Sequence, residues 1–433
     1  MRRTERTDRT AVIAILAVLA VPATVAACSD ILGFKELTLA SGGDATTDSP
    51  VQTVEAGVDA GTVEAGRDAG VDAPSVCTPG DYRIPARPLV DDGTPSVPQF
   101  ILALESADFG AGSDAGGAAP PPGLDLDCVD TCPAPSSCAP PGSTTPCDSL
   151  GGRDIAANQL LTFLGMYETS FQPQALNSDI ERGEFGLVLR IGEYNGGAND
   201  TQVDVEFFPS SGTVRDALGH PATPRYDGKD VWTTTSAALA GGTAGNTQLP
   251  SLFIDRFAYV SNHVLVTNLA NTPVPANSDS SAPPPFPLLV LPNVGNDNPI
   301  VFHIHYLLGS ATLVADDAGV WHAQNGNLGG RWPTVDILRG IAPLTDSIFG
   351  GNVCGTDTTF NALAGYLCPA ADIATNPAND NLVAAAACDA LSFGVAFKGG
   401  PAKLATTPYD PPLVPPDCPD AWAPACCGPN LCP

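Results

Sequence analysis

Between residues 185 and 207 apolar and polar positions alternate with a period of two. Phe185, Leu187, Leu189 and Ile191 fall on one side, with Gly186, Val188 and Arg190 on the other. After the loop EYNGGAND, Val203, Val205 and Phe207 alternate with Asp204 and Glu206. Successive side chains on a strand point to opposite faces, so this run predicts a hairpin with one buried face. Comparable short runs predict strands over 99–104, 252–260, 264–269, 288–291, 300–307, 311–315, 320–323 and 391–397. Asn325-Gly326 reads as a turn, and Leu391, Phe393, Val395 and Phe397 line one face of the last strand. Helical spacing is rarer: 154–166 with Asp154 placed as a cap, 334–341 after Pro333, and 360–368 with Phe360, Leu363, Ala364 and Leu367 on one side. Many short strands, abundant Pro and Gly and few helices predict a mainly β chain, an antiparallel β-sandwich or jelly-roll-like body with a few short helices. The regular strand–helix alternation of a doubly wound parallel sheet is missing.

The chain opens on a different pattern. Residues 1–10 carry four Arg against one Glu and one Asp, and residues 11–27 carry no charge. A basic segment followed by a short apolar one that ends in small residues is the pattern of an export signal. Interrupted by Pro22, the run is shorter than the roughly 20 residues a spanning helix needs. Val25-Ala26-Ala27-Cys28 resembles the lipobox of bacterial lipoproteins, although that pattern more often has Leu where Val25 stands. The resemblance implies removal of a signal peptide over 1–27 and diacylation of Cys28 through its thiol. Several acyl chains together make such an anchor durable, at about 0.8 kcal/mol per buried methylene. Ser29 follows, where Asp is the usual inner-membrane retention signal in enteric bacteria, so the implied address is the outer membrane, on its periplasmic or surface face.

Charge fits export. Without residues 1–27 the chain keeps 15 basic and 45 acidic side chains, a net charge of −30. Such a chain repels nucleic acid and anionic headgroups, so the expected partners are a membrane through the lipid anchor and a glycan or envelope protein. Thirteen cysteines are present, and assigning Cys28 to lipid leaves twelve, an even number that reads as a disulfide set in an exported chain. Cys77, Cys128, Cys132, Cys138 and Cys147 lie early; Cys354, Cys368, Cys388, Cys418, Cys426, Cys427 and Cys432 lie late. Both groups are odd, so complete pairing within the chain requires a bridge from the early group to the late one. Zinc is the rival for Cys128 and Cys132, but no matching second pair with His follows.

Three regions follow from this. Residues 1–27 are the signal, 28–76 a lipidated Cys and disordered acidic linker, and 77–433 one disulfide-braced β-rich ectodomain. The linker repeats EAGVDAG at 55–61 as EAGRDAG at 64–70 and has too few apolar side chains to bury a core. A second low-complexity stretch at 109–146, rich in Gly, Pro, Ser and Cys, reads as a disulfide-pinned excursion. The acidic Asp-Ala-Gly tether after a lipobox resembles those of myxobacterial lipoproteins. LDLDCVDTCP at 124–133, LRIGEYNGGANDTQVDVEF at 189–207, GGRW at 329–332 and CDALSFG at 388–394 are similar to one group of them. That resemblance implies a location and carries no assigned chemistry.

Among candidates for chemistry, Val-Phe-His-Ile-His-Tyr at 301–306 is the sharpest. On a strand His303 and His305 point the same way, and two imidazoles on one face can share a metal. The string is similar to the paired-His strand of alpha-type carbonic anhydrases, which needs a third His on a neighbouring strand; His220, His263 and His322 remain. The bland alternative is an ordinary half-exposed strand face. Asp125 and Asp127, with Asp130, suggest a calcium loop, yet Val129, Asp130 and Ser136 depart from the EF-hand pattern. A looser calcium site there, or around Asn199, Asp200 and Asp204, competes with Asx turns. Trp232, Trp321, Trp332 and Trp422 are candidates for a sugar-stacking platform or for core. The hydrolase elbow, zincin helix, phosphate loop and dinucleotide fingerprint do not occur. The leading expectation is a lipid-anchored cell-envelope or surface lipoprotein acting as a noncatalytic binding or structural module. Its alternatives are a metal-dependent enzyme at His303 and His305, and a calcium-stabilised adhesin or carbohydrate-binding domain. Calcium or a transition metal are the candidate cofactors, and none is expected otherwise.

Overall fold

The computed structural model describes residues 84–93, 97–110, 122–132, 135–141, 147–149, 151–167, 169–239, 251–272, 284–290, 300–342, 352–355, 357–380, 386–411 and 418. All fall in one compact unit, Ala69–Pro433. The export signal, Cys28, the linker, Cys77, Trp422, Cys426, Cys427 and Cys432 lie outside the described residues. Strand β1 (Phe100–Asp108) precedes helices α1 (Ala156–Tyr167) and α2 (Pro173–Glu181). Then come β2 (Gly186–Gly192), β3 (Asp200–Ser210), β4 (Val231–Trp232), β5 (Phe253–Ser261), β6 (Val264–Asn268), β7 (Phe286–Val290), β8 (Ile300–Ala315) and β9 (Trp321–Pro333). Helices α3 (Thr334–Ile341) and α4 (Asp357–Leu367) and strands β10 (Ala390–Pro401) and β11 (Lys403–Leu404) complete the order.

The protein is mainly antiparallel β, as its patterning predicts. The hairpin β2–β3 pairs Leu189 with Phe207 and Ile191 with Val205, so the apolar sets of both strands share one face. The main sheet runs β6-β5-β3-β2-β1-β10-β9-β8-β7, and β6 also pairs with β8. That last pairing joins the sheet to itself, so eight strands form a closed antiparallel ring with no free edge between β6 and β8. Strand β8 makes this possible by forking: Ile300–Ile304 pair with β7 and Leu308–Thr312 with β6. At the fork Tyr306 takes φ 52° and the register with β9 shifts between His305 and Leu308. Inward positions therefore pass from Phe302 and Ile304 to Leu307, and Tyr306 leaves the face that strict alternation would give it.

Side chains fill the ring. Phe207, Phe286, Phe302 and Trp332 are fully buried, and Trp332 meets Phe302 and Phe393 edge-on at 4.4 and 6.1 Å. The void left among them is about 50 Å³ with wholly apolar walls, so the interior is a packed core, one of the two outcomes open to eight strands. Helix α1 packs on β10, α2 on β1 and α3 on β8. The reverse side of the hairpin is also covered: Val188 and Phe208 are buried under Trp232 and Leu239, so the one-sided burial read from the sequence is two-sided here.

Two local readings change. Asn325-Gly326 is not a turn but lies inside β9, with Asn325 at φ 48°. The hairpin turn falls at Asp316–Gly319, and Gly326 passes so close to the Phe397 ring that an added Cβ would stand 2.5 Å from it. Helix α2 was not legible as one, because PQALNSDIE is more than half polar; its signal is Pro173 in the first turn with Leu176 and Ile180 four apart.

Three bridges join described residues to one another. Cys132–Cys147 closes the excursion locally, Cys354–Cys418 ties the α4 region to the C-terminal segment, and Cys138–Cys388 joins the early group to the late one across 250 residues. Cys128 and Cys368 are disulfide-bonded as well.

Candidate functional site

The excursion brings Asp125 and Asp127 back against the segment leading into α1, where Asp154 is buried. These three each place one carboxylate oxygen within 4.8 Å of the other two. Local hydrogen bonds shape the loop: Asp125 Oδ1 accepts the Cys128 N–H at 2.7 Å, Asp127 Oδ1 the Val129 N–H at 2.9 Å, and Asp154 Oδ2 the Leu126 N–H at 2.5 Å. Asp154, read from the sequence as a helix cap, thus turns to the excursion, and Ser392 Oγ receives the Ala156 N–H in the first turn of α1. Asp148 joins from the residue after Cys147, accepting the Thr131 N–H at 2.6 Å. Asp372 lies behind it, accepting the Ser392 N–H at 2.8 Å and the Ser392 hydroxyl at 2.5 Å.

So many carboxyls in a dry place cannot all ionise freely. Burial pushes Asp148 up to about 7, with the charges of Asp127 and Asp130 adding to the rise and the Thr131 N–H opposing it. Asp372 is also pushed up to about 7 by burial, against its hydrogen bonds from Ser392. Asp154 is raised well above the ordinary range by burial and by the charges of Asp127, Asp148 and Asp372. Burial raises Asp127 too, and Arg331 draws it down only in part. Arg331 is itself buried and ion-paired with Asp380, and it donates to the carbonyls of Ala374 and Leu126. The group has two ways to relieve its repulsion: sharing protons, or holding a hard cation through oxygen donors alone.

Asn199 and Asp200, the other half of the calcium reading, are not part of that group. At the β2–β3 turn Asn199 binds Asp92 through both its N–H and its amide, and its own Oδ1 accepts the Asn262 N–H. Asp200 accepts from the backbone of Asn195 and Gln202. These are turn-forming bonds within a lattice that fastens residues 91 and 92 to the barrel.

His303 and His305 do share a face of β8, and a carboxylate arrives beside them from α3. His305 Nε2 stands 3.2 Å from Asp336 Oδ2, while Arg339 reaches Asp336 Oδ1 at 3.3 Å. Burial of Asp336 is outweighed by the hydrogen bond from His305 and by the neighbouring cations, so its carboxyl sits below the ordinary value. His303 is pushed down by burial, with His305 and Arg339 adding to the fall and Asp336 opposing it. Among the described residues, the only three-membered group of potential ligands within 4.8 Å is the aspartate one, so Asp336 reaches one imidazole without the three converging. Sequence reasoning missed Asp148, Asp154, Asp336 and Asp372 as members of these clusters. The available signal was weak: an acid in the first turn of a predicted helix for Asp336, and nothing local for Asp372.

Of the four Trp, Trp232 and Trp332 are core, Trp422 lies outside the described residues, and Trp321 is half-buried at the opposite end of β9 from α3. No known protein family, characterised protein or solved structure matches the chain.

Proposed function

We propose that the chain is an exported lipoprotein, anchored through acylated Cys28 in the cell envelope with the outer membrane favoured, and that its β-body is a binding or structural module rather than an enzyme. The observation that carries this reading is the state of the cysteines. Every described Cys, eight in all, is disulfide-bonded. Such bonds form and persist in oxidising compartments, which supports the N-terminal address. A barrel filled by its own side chains, with the excursion tied to the segment leading into β10 by the Cys138–Cys388 bridge, suits a rigid body held on a tether. The test is metabolic labelling with a clickable palmitate analogue in a bacterial host, followed by envelope fractionation. Label and membrane association that vanish in Cys28→Ala support the reading, and a Cys28→Ala protein that keeps both overturns it.

A second reading adds calcium as a stabiliser at Asp125, Asp127 and Asp154. It rests on the convergence of those three oxygens, which gives a hard divalent ion an all-oxygen donor set. Native protein should then melt lower in a calcium chelator than in calcium, and identical melting curves would remove calcium from the account.

A further inference from the structure

The half-buried Trp321 opens onto a surface groove of about 340 Å³ at the start of β1 and β9 and the end of β10. Trp321 stacks with Phe100 at 5.7 Å and 21°, and Tyr194 meets it edge-on at 5.2 Å. Tyr194 is fully buried and its hydroxyl donates to the Gly197 carbonyl, so the aromatic floor is fixed before any ligand arrives. Pro98, Pro401 and the exposed Val320 form the walls, and Gln99 supplies an exposed side-chain amide. No lining residue is charged, in a chain of net charge −28.

Two turns border the groove. Gly228 N–H bonds the Pro401 carbonyl at 3.1 Å and so holds the Asp227–Lys229 turn against one wall. Asp316 shapes the turn that carries Gly319 and Val320 at the other, accepting the Val320 N–H at 2.8 Å. An uncharged aromatic floor flanked by one amide suits a neutral ligand that presents apolar C–H faces between hydroxyls, which the Gln99 amide can meet as donor or acceptor. The acidic surroundings disfavour an anionic ligand at any distance within the screening length. The groove volume lies within the range of small-ligand sites.

We infer that the Phe100–Trp321 groove is a binding site for neutral oligosaccharide. The inference deepens the reading of the body as a binding module and rests on it. Trp232 and Trp332 are sealed in the core, so a fluorescence change on binding reports on the groove indole or on Trp422. Detergent-solubilised full-length protein is titrated with three neutral probes, the tetrasaccharides of N-acetylglucosamine, cellulose and starch, and with polygalacturonate and a proline-rich peptide as contrasts. A saturable signal with at least one neutral tetrasaccharide is expected, and Trp321→Phe removes the signal. Val320→Arg, a change at an exposed position that leaves the core untouched, weakens binding measured by calorimetry at least about tenfold. Loss of all neutral-sugar binding, binding that Val320→Arg leaves intact, or saturable binding of the peptide or polygalacturonate alone overturns the inference. If sugars fail to bind while Cys28 is acylated and the protein fractionates with the envelope, the groove assignment falls and the anchor reading stands.

Discussion

Asp372→Asn isolates the electrostatics of the buried carboxyl cluster. Asp372 is 7% exposed and its two oxygens face Ser392, whose hydroxyl in turn receives the Ala156 N–H. Asn is nearly isosteric: its carbonyl can keep the Ser392 N–H, and its amide can donate to Ser392 Oγ. What changes is the proton. The folded-state carboxyl, pushed to about 7, binds its proton more tightly than the unfolded chain, where the ordinary value is 3.8. Stability from that proton is therefore complete below the unfolded value and is lost as pH rises toward 7. At about 1.36 kcal/mol per unit, the rise corresponds to about 4 kcal/mol for this group. The Asn variant has no such titration. Its unfolding free energy relative to the native sequence should climb by about 4 kcal/mol from about pH 4 to about pH 8. Urea unfolding followed by near-UV circular dichroism, at fixed ionic strength and with chelator present, reads this directly. Asp148, Asp154 and Asp127 titrate in both proteins, and since the Asp372 charge also raises Asp154, its removal eases that rise and adds to the variant's gain at high pH. A gap that stays constant across the pH range, or that narrows, would refute the reasoning.

Other outcomes follow from the same geometry. If calcium occupies the aspartate group, its stabilisation grows with pH as protons leave, and Asp154→Asn abolishes the difference between chelator and calcium in thermal melts; a difference that survives the substitution places the ion elsewhere. Joint replacement of Cys138 and Cys388 by Ser removes the span of 250 residues, which in a chain-entropy account costs about 5 kcal/mol, read as a lower denaturant midpoint. An unchanged midpoint would mean the bridge constrains nothing in the unfolded chain. Trp332→Ala empties the space between Phe302 and Phe393 and should cost about 3–5 kcal/mol in the same assay. For the His pair, elemental analysis of natively purified protein should find no stoichiometric transition metal, because Asp336 engages His305 and Arg339 without the three ligands converging; a bound equivalent lost in His303→Ala would reinstate the metal-enzyme alternative.

Much of the scaffold was legible because it depends on local periodicity. Phe185 to Ile191 and Val203 to Phe207 specify which face of the hairpin is buried, since a one-residue slip would turn the whole apolar set outward, and Leu391 to Phe397 do the same for β10. Ring closure was not, because β6–β8 pairing depends on the fork in β8, and Tyr306 gives no sign that it will adopt a left-handed backbone. Asn325-Gly326 shows the same ambiguity: the pair permits positive φ, which serves a bulge within a strand as well as a turn. Of the clusters, Asp125 and Asp127 could be singled out by spacing, whereas Asp148, Asp154 and Asp372 reach them only through the Cys132–Cys147 and Cys138–Cys388 bridges and the packing of α1 on β10. Contacts across more than 200 residues leave no periodic trace.

The most direct test of the central claim is intact and peptide mass spectrometry of the protein purified from the membranes of a bacterial host that processes lipoproteins. The account expects a mature chain beginning at Cys28, carrying a diacylglyceryl modification on its thiol and no residues 1–27. A chain that retains those residues, or one that begins elsewhere with an unmodified Cys28, would contradict it.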